Sequence, residues 1–236
     1  NTNSNKSFFH NKLEKTPERD IFMQNSNEKN PVCPSSVAQT TEDNEGMKVV
    51  VRYPYACDIE KMKDLTKEEQ REITQKLISE GRCYNPAEEV DIYSQGTFEQ
   101  TTLSNFDETD ITFDGIQINS IEGFLQSLKT NDTEKQKEIC KLSGKEAKSA
   151  GRQIEGFNGN TLYWKGKKID RNSDEYKNLL KEVYKARLEQ DSNFKRALKR
   201  SKNKKLVHTI GLKDPQKTIL TEEEFIGILY ELRQNI

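Results

Sequence analysis

The sequence predicts an α+β fold that is predominantly α-helical, with a few short strands and a flexible N-terminal arm. Three observations predict it. Apolar residues recur at helical spacing through most of the second half of the chain, short apolar runs bounded by turn residues precede them, and the opening residues show neither pattern. With 236 residues, 33% of them charged and 32% hydrophobic, the chain has room for one main domain with a modest core.

Residues 1–46 are expected to form the arm, because Asn, Ser, Thr, Lys, Glu and Pro dominate there and no period of 2 or 3.6 is sustained. They lack the apolar centre of a secretory signal, and no apolar run in the chain approaches the roughly 20 residues that span a bilayer. We therefore expect a cytoplasmic protein without membrane contact. Its widely separated cysteines are expected to be free thiols: Cys33, Cys57, Cys83 and Cys140.

Residues 47–89 are expected to form an accessory strand–helix segment packed on the main domain. Met47–Tyr53 has the composition of a short strand, and Leu65–Gly81 that of an amphipathic helix. Thr66 and Glu69 have the spacing of a capping box at the start of this helix.

Residues 90–236 are expected to form the main domain. Asp114-Gly115 favours a tight hairpin turn, and Asn119 or Ser120 is expected to cap a helix with an apolar stripe from Ile121 to Leu128. Further helices are predicted by capping boxes at Thr133/Gln136, Ser143/Glu146 and Thr221/Glu224, and by the stretches Ser173–Gln190, Asp191–Ser201 and Glu222–Gln234. The chain has no Gly-rich phosphate loop, so a Rossmann or P-loop fold is not expected.

Charge is distributed unevenly along the chain, although the net charge is only −1. Residues 80–123 hold ten Asp/Glu and one Arg, whereas residues 165–205 hold fifteen Lys/Arg and six Asp/Glu. Such a basic stretch can be a solvated helix face, can pair with the acidic segment, or can bind phosphates and nucleic acid. The Asp and Glu residues interleaved in this stretch reduce its positive charge and make nucleic-acid binding the weakest of these interpretations.

Glu122 is the carboxylate with the clearest chemical interest. It falls in the first turn of the predicted helix, with Gln126 and Lys129 at i+4 and i+7. One interpretation is structural: Glu122 complements the helix dipole and pairs weakly with Lys129. The other is functional: a carboxylate at the mouth of a pocket can stabilise an oxocarbenium-like transition state, activate water or attack the glycosidic carbon.

Four further residues each have two interpretations. Trp164 has polar sequence neighbours and is expected either in a pocket, stacked on a base, or in the core. Arg152 and Arg171 suit bidentate phosphate contact, but they can equally be solvated or sit at a helix end. His208 follows an apolar pair, where a hydrogen-bonded packing role competes with contact to a ribose.

Several ordered motifs resemble the signature of NADAR/YbiA-like proteins over roughly residues 90–236. They are Leu103–Phe106 (LSNF), Phe113–Gly115 (FDG), Asn119–Lys129 (NSIEGFLQSLK), Lys145–Lys148 (KEAK) and Gly151-Arg152. The chain departs from the family pattern at Gly123, where the family has His, and in the late Trp-Gly motif, which is replaced by a segment containing His208.

The resemblance implies a compact YbiA-like domain that hydrolyses N-glycosidic bonds, as in a riboflavin-pathway intermediate or ADP-ribosylated guanine. It implies that Glu122 is catalytic and that Asn105 contacts the ligand. The substrate-binding set expected around Glu122 is Asn105, Trp164, Lys129, Arg152, Arg171 and His208. No metal and no cofactor is expected, and the expected partner is a nucleotide or ADP-ribose-like molecule, free or on ADP-ribosylated nucleic acid.

Two alternatives to hydrolysis stay open. A non-catalytic binding module, or sponge, for an ADP-ribose-derived nucleotide needs the same pocket without turnover. A nucleic-acid-binding protein needs only the basic stretch at residues 165–205. The sequence carries no signal for an oligomeric state.

Overall fold

The computed structural model describes residues 40–52, 55 and 62–236. Its strands are β1 (Thr40–Glu42), β2 (Lys48–Val51), β3 (Cys83–Tyr84), β4 (Glu89–Asp91), β5 (Ile111–Phe113), β6 (Ile116–Ile118), β7 (Thr161–Trp164), β8 (Lys167–Asp170) and β9 (Lys205–Val207). Its helices are α1 (Lys67–Ser79), α2 (Phe98–Leu103), α3 (Ile121–Ser127), α4 (Thr133–Cys140), α5 (Gly144–Arg152), α6 (Asp174–Gln190), α7 (Ser192–Arg200) and α8 (Glu222–Gln234).

This composition confirms the predicted class: helices account for more residues than strands, and every strand is short. Within the described ranges, no helix is both long and apolar enough to cross a bilayer.

The N-terminal part of the described chain is a small antiparallel sheet, β1-β2-β3, with α1 packed on it. Val49, Val51, Leu77 and Cys83 form its own buried cluster. The capping box of α1 is confirmed, since Thr66 accepts from the backbone of Glu69 and the Glu69 side chain accepts from the backbone of Thr66.

Three residues that the sequence assigns to the arm, Thr40–Glu42, form a strand of this sheet. Thr40–Glu42 pairs with β2 in the register Thr40↔Val50, because the polar side chains of β1 can face water while its backbone extends the sheet. Residues 1–39, the rest of the predicted arm, lie outside the described residues.

The main domain is held together by one large apolar cluster in which α3 lies at the centre. Every residue of α3 is buried, including its polar ones. The helix packs against α4 and α5. Parallel pairing of β4 with β9 joins the start of the domain to its C-terminal part, with Val90 opposite Leu206.

Two hairpins flank this core. The predicted Asp114-Gly115 turn is confirmed, with φ angles of 51° and 79° between β5 and β6. The second hairpin, β7–β8, was not predicted. It turns at Lys165 and Gly166 with φ angles of 50° and 82° and is tied to the end of α3 by a bond from Tyr163 N to Leu128 O.

The helix caps agree with the sequence only in part. Ser120 caps α3, accepting from Gly123 N at 2.8 Å, and the capping box of Thr221 with Glu224 is confirmed. The box predicted at Thr133 is wrong, because Asp132 caps α4 one residue earlier. Ser143 is the N-cap of α5 but makes no side-chain cap bond, so that box is also wrong.

Gly123 explains one departure from the NADAR-like pattern. A Cβ at this position would lie 2.5 Å from the carbonyl oxygen of Leu142 and 2.8 Å from that of Ile139. These oxygens belong to backbone that cannot move aside, so α3 approaches the end of α4 too closely for any side chain at position 123.

Candidate functional site

Glu122 lies in the first turn of α3 and is only 8% exposed. Its Oε1 accepts a hydrogen bond of 2.8 Å from Gln126 Nε2. Its Oε2 accepts none from the residues that the structure describes. Its backbone N–H donates to Asn105 O at 2.9 Å, which joins the start of α3 to the loop after α2.

The electrostatic surroundings of Glu122 combine burial with three cations. Burial raises the pKa of the Glu122 carboxyl, and the Gln126 bond and the charges of Lys148, Lys129 and Arg152 oppose this rise. Burial also lowers the pKa of Lys129, partly offset by Glu122. A carboxylate that is hard to ionise therefore lies beside ammonium and guanidinium groups.

A cavity of about 190 Å³ is lined in part by Gln126, the hydrogen-bond partner of this carboxylate. The α3 residues that line it are Gln126 and Lys129, and the Gln126 hydrogen bond connects Glu122 to this wall. The remaining lining residues come from α5 and two loops: Lys148, Arg152, Phe157, Gly159, Leu212, Gln216, Lys217, Thr218 and Ile219. The lining residues that the structure describes include four cations and no carboxylate.

Three of these cations lack acidic partners. Lys129, Lys148 and Arg152 have no carboxylate within ion-pair distance among the described residues. The Lys129 ammonium instead lies 5.0 Å from the centre of the Phe157 ring, whereas exposed Lys217 lies 4.0 Å from Asp214. An anion entering the cavity would meet positive charges that the protein has not neutralised.

Gly151 sets the position of Gln126. A Cβ at position 151 would lie 1.8 Å from Gln126 Oε1, so a side chain there would displace the Gln126 amide. Gln126 is 6% exposed, and its Oε1 has no hydrogen-bond partner within the described part of the chain. The close contact between α3 and α5 thus holds the group that bonds Glu122.

Asn105 is placed next to Glu122 but does not line the cavity. Its side-chain Oδ1 accepts from Tyr184 Oη at 2.6 Å, and its backbone carbonyl accepts from Glu122. Burial raises the pKa of the Tyr184 hydroxyl well above its usual value, so it remains a donor. The loop is anchored further by Arg187, which is fully buried and donates to Ser104 O at 3.3 Å.

Arg187 is a positioning residue that sequence patterns missed. It also pairs with Asp107 at 2.9 Å and Asp191 at 3.2 Å. Burial raises the pKa of Asp107 to about 6, against the opposing charge of Arg187.

Among the residues that the structure describes, no cluster of three His, Cys, Asp or Glu side chains is placed to hold a metal.

The structure places Trp164 in the core, the second of the two positions expected for it, and not among the residues that line this cavity. Its indole stacks on Phe113 with centroids 5.9 Å apart and meets Phe124 edge-on at 5.0 Å. Its Nε1 donates to Asp114 Oδ2 at 2.9 Å. Trp164 is therefore a core residue with its polar atom satisfied by the β5–β6 turn, and Phe157 is the aromatic residue that lines the cavity.

Arg171, another residue of the expected binding set, is not among the residues that line this cavity. Its guanidinium is buried, and it donates to both carboxylate oxygens of Glu224 at 2.9 and 2.8 Å. Its Nε donates to Thr218 O at 3.1 Å. Arg171 therefore fixes Thr218, a residue of the cavity wall, and its guanidinium already makes its bidentate contact with Glu224.

His208 has the packing role rather than a position in the cavity. Its Nδ1 lies 2.7 Å from Ile92 O, and its ring meets Phe225 edge-on at 5.4 Å. Burial lowers the pKa of His208.

Of the expected binding set, Lys129 and Arg152 line the cavity. Lys148, Phe157 and Lys217 also line it, although the sequence analysis did not single them out.

The basic stretch at residues 165–205 is neutralised in several places. Lys167 pairs with Glu175, Lys181 pairs with Glu231, and Arg200 pairs with Glu99. The structure thus joins part of the basic stretch to the acidic segment, which was one of the three interpretations of this charge pattern.

Comparisons with known proteins find that this chain is similar to phage proteins. Residues 97–234 match the family described as bacteriophage protein GP30.3. A relative from Enterobacteria phage T4, described as an uncharacterized 17.1 kDa protein in the Gp30–rIII intergenic region, is 39% identical over 151 residues. That alignment covers 63% of this chain and 99% of the relative.

Among solved structures, the chain is similar to the E. coli protein YbiA, determined by NMR. The two share 18% identity, the match covers 63% of this chain and 84% of YbiA, and the TM-score is 0.43. The family that the sequence matches differs from the NADAR/YbiA-like family whose motifs the chain resembles. The chain belongs to the bacteriophage protein GP30.3 family.

Proposed function

We propose that this protein hydrolyses an N-glycosidic bond in a nucleotide or ADP-ribose-type substrate, with Glu122 as the catalytic carboxylate. The proposal is supported by a buried carboxylate of raised pKa that is hydrogen-bonded to the wall of a cavity, in which three lining cations have no acidic partner among the described residues. The motif resemblance noted in the sequence points to the same residue.

The cations suit the phosphates of such a substrate. Lys148 and Arg152 are exposed at the rim, whereas Lys129 is half-buried close to Glu122. Guanidinium and ammonium groups form charge-assisted hydrogen bonds with phosphate oxygens. A phosphate held by these groups brings the attached ribose towards Gln126 and Glu122. Phe157 offers an apolar face beside it.

Glu122 is suited to activate water. In the proposed step, a water oxygen attacks the ribose C1 and its proton passes to the Glu122 carboxylate. The C1–N bond breaks with its electron pair on the leaving nitrogen, which then takes up a proton. A base works best when its pKa is near the working pH, and burial moves the pKa of Glu122 upward in that direction.

A binding module without turnover is the second candidate. The four cations of the lining favour it, because they can retain a polyphosphate whether or not Glu122 reacts. It differs from the enzyme in one respect: the bound nucleotide leaves unchanged.

The test is incubation with NAD, ADP-ribose and ADP-ribosylated nucleic acid, with bound ligand and released product followed together. Hydrolysis predicts a free base or amine with a ribose hydroxyl at C1, and retained ligand without product supports the binding module. Arg152→Gln should weaken binding roughly tenfold, since it removes a charge-assisted bond. The matched control is Lys145→Gln on the same helix, which removes an exposed cation outside the cavity lining.

A further inference from the structure

A continuous chain of hydrogen bonds links the accessory segment to the main domain. Arg52, which follows β2, donates from Nη1 to Asp91 Oδ2 at 2.9 Å. The same carboxylate accepts from Thr209 Oγ1 at 2.6 Å and from Thr209 N at 3.0 Å. Asp91 is 5% exposed, so a buried carboxylate is held from one side by Arg52 and from the other by Thr209.

Thr209 begins the segment that forms one wall of the cavity. Leu212 and residues 216–219 line the cavity, and Leu212 O accepts from Glu222 N at 2.9 Å. Near its other end, Thr218 O accepts from Arg171. Residues 212–217 are exposed, so the wall depends on these few fixed points for its position.

We propose that Arg52 is a positioning residue for the cavity, acting through Asp91 and Thr209 on the wall at residues 209–219. Without the guanidinium, the buried Asp91 carboxylate loses its counter-charge and turns towards water or takes up a proton, and both changes weaken its bonds to Thr209. Ligand affinity then depends on a residue that precedes the part of the chain matched by the family, residues 97–234. The effect on affinity rests on the cavity being the ligand site.

The first test is amide hydrogen exchange on the full chain. Arg52→Met and Thr209→Val should each speed exchange at residues 209–219, because both remove bonds that fix this segment. Exchange in α6 should stay unchanged, and Arg52→Lys should give an intermediate rate. Unchanged exchange at residues 209–219, or equal acceleration in α6, would overturn the proposal.

A matched control comes from the same accessory segment. The Arg82 guanidinium pairs with Glu80 at 3.0 Å and lies over the Tyr55 ring, and none of its described partners belongs to the main domain. Arg82→Met should therefore leave exchange at residues 209–219 at the wild-type rate. Acceleration there in Arg82→Met would show that loosening the accessory segment is sufficient, and it would remove the specific role of Arg52.

The second test measures ADP-ribose binding by calorimetry. Arg52→Met should raise the Kd by between about two- and thirty-fold, the range seen for residues that act through others. Adding Thr209→Val should cost little more, because both changes break the same chain. An unchanged Kd in Arg52→Met, or fully additive effects, would contradict the proposal. If the wild-type chain binds no ADP-ribose, the proposed function fails for that ligand, and the exchange experiment alone decides the positioning role.

Discussion

Gln126 Nε2 donates a hydrogen bond of 2.8 Å to Glu122 Oε1, one helical turn earlier on α3. Gln126 also lines the cavity, so this bond connects the buried carboxylate to the space where a ligand can enter. Because Oε2 keeps no partner among the described residues, one oxygen is oriented by the protein while the other stays free to accept a proton.

Gly151→Ala should disturb this bond directly. The new Cβ would lie 1.8 Å from Gln126 Oε1, so Gln126 must leave its position. Overpacking of this kind costs typically about 1 to 3 kcal/mol of unfolding free energy. The measurement is urea denaturation, with Gly227→Ala in α8 as control. A Cβ at position 227 meets nothing within 4 Å, so the control should stabilise by roughly 0.5 to 1 kcal/mol. Equal stability of the two variants would contradict the contact.

Leu125→Ala tests whether α3 lies in the core. Leu125 is 2% exposed and belongs to the main cluster. Truncation of a buried leucine costs roughly 2 to 5 kcal/mol, through lost transfer free energy and the cavity left behind. Chemical denaturation measures this, and a loss below about 0.5 kcal/mol would place the helix at the surface.

Glu122→Gln should change how stability depends on pH. Burial raises the pKa of Glu122 in the folded state, so above the unfolded value the native protein binds more protons than the unfolded chain, and stability falls as pH rises through this window. The variant removes this loss while keeping an acceptor for Gln126. Its melting temperature should exceed that of the wild type at pH 8, and the difference should shrink towards pH 4.

Glu224→Gln should change the pH dependence of stability in the opposite direction. Burial alone would raise the pKa of Glu224, but its bonds with Arg171 and Thr221 and the charge of Arg171 together hold this pKa below its usual value. The contribution of Glu224 to stability is therefore present at neutral pH and is lost as pH falls. This variant should be less stable than the wild type at pH 7 and closer to it in acid. A pH-independent difference for both variants would show that neither carboxyl is perturbed as described.

Arg171→Met tests the structural role of the buried ion pair. Removing one partner leaves Glu224 uncompensated, which costs about 3 to 5 kcal/mol, whereas replacing both residues by apolar ones is often close to neutral. We therefore expect the double variant Arg171→Met with Glu224→Leu to recover most of the stability. If the single variant lost nothing, Arg171 would be free for the ligand contact predicted from the sequence.

The sequence predicted what local patterns determine. Capping residues and helical spacing located α1, α3 and α8, and Asp114-Gly115 located the β5–β6 turn. The second turn, at Lys165-Gly166, carries the same kind of signal, but charged residues around it masked the alternation of β7 and β8. Its strands were therefore missed.

What the sequence could not supply are pairings between distant residues. Trp164 donates a hydrogen bond to Asp114, 50 positions away, and Arg171 donates to Glu224, 53 positions away. No local pattern indicates either partner. By contrast, Glu122, Gln126 and Lys129 share one stretch of chain, so their common location could be read from spacing. The cavity itself needs two loops, whose approach no local pattern predicts.

The most direct measurement of the central claim is single-turnover cleavage of an ADP-ribosylated guanine substrate by the wild type and by Glu122→Gln. If Glu122 activates water, the variant should bind the substrate within about threefold of the wild type yet cleave it at least about 100-fold more slowly, since general-base catalysis contributes roughly 10² to 10⁴. Near-normal cleavage by Glu122→Gln would contradict the catalytic assignment.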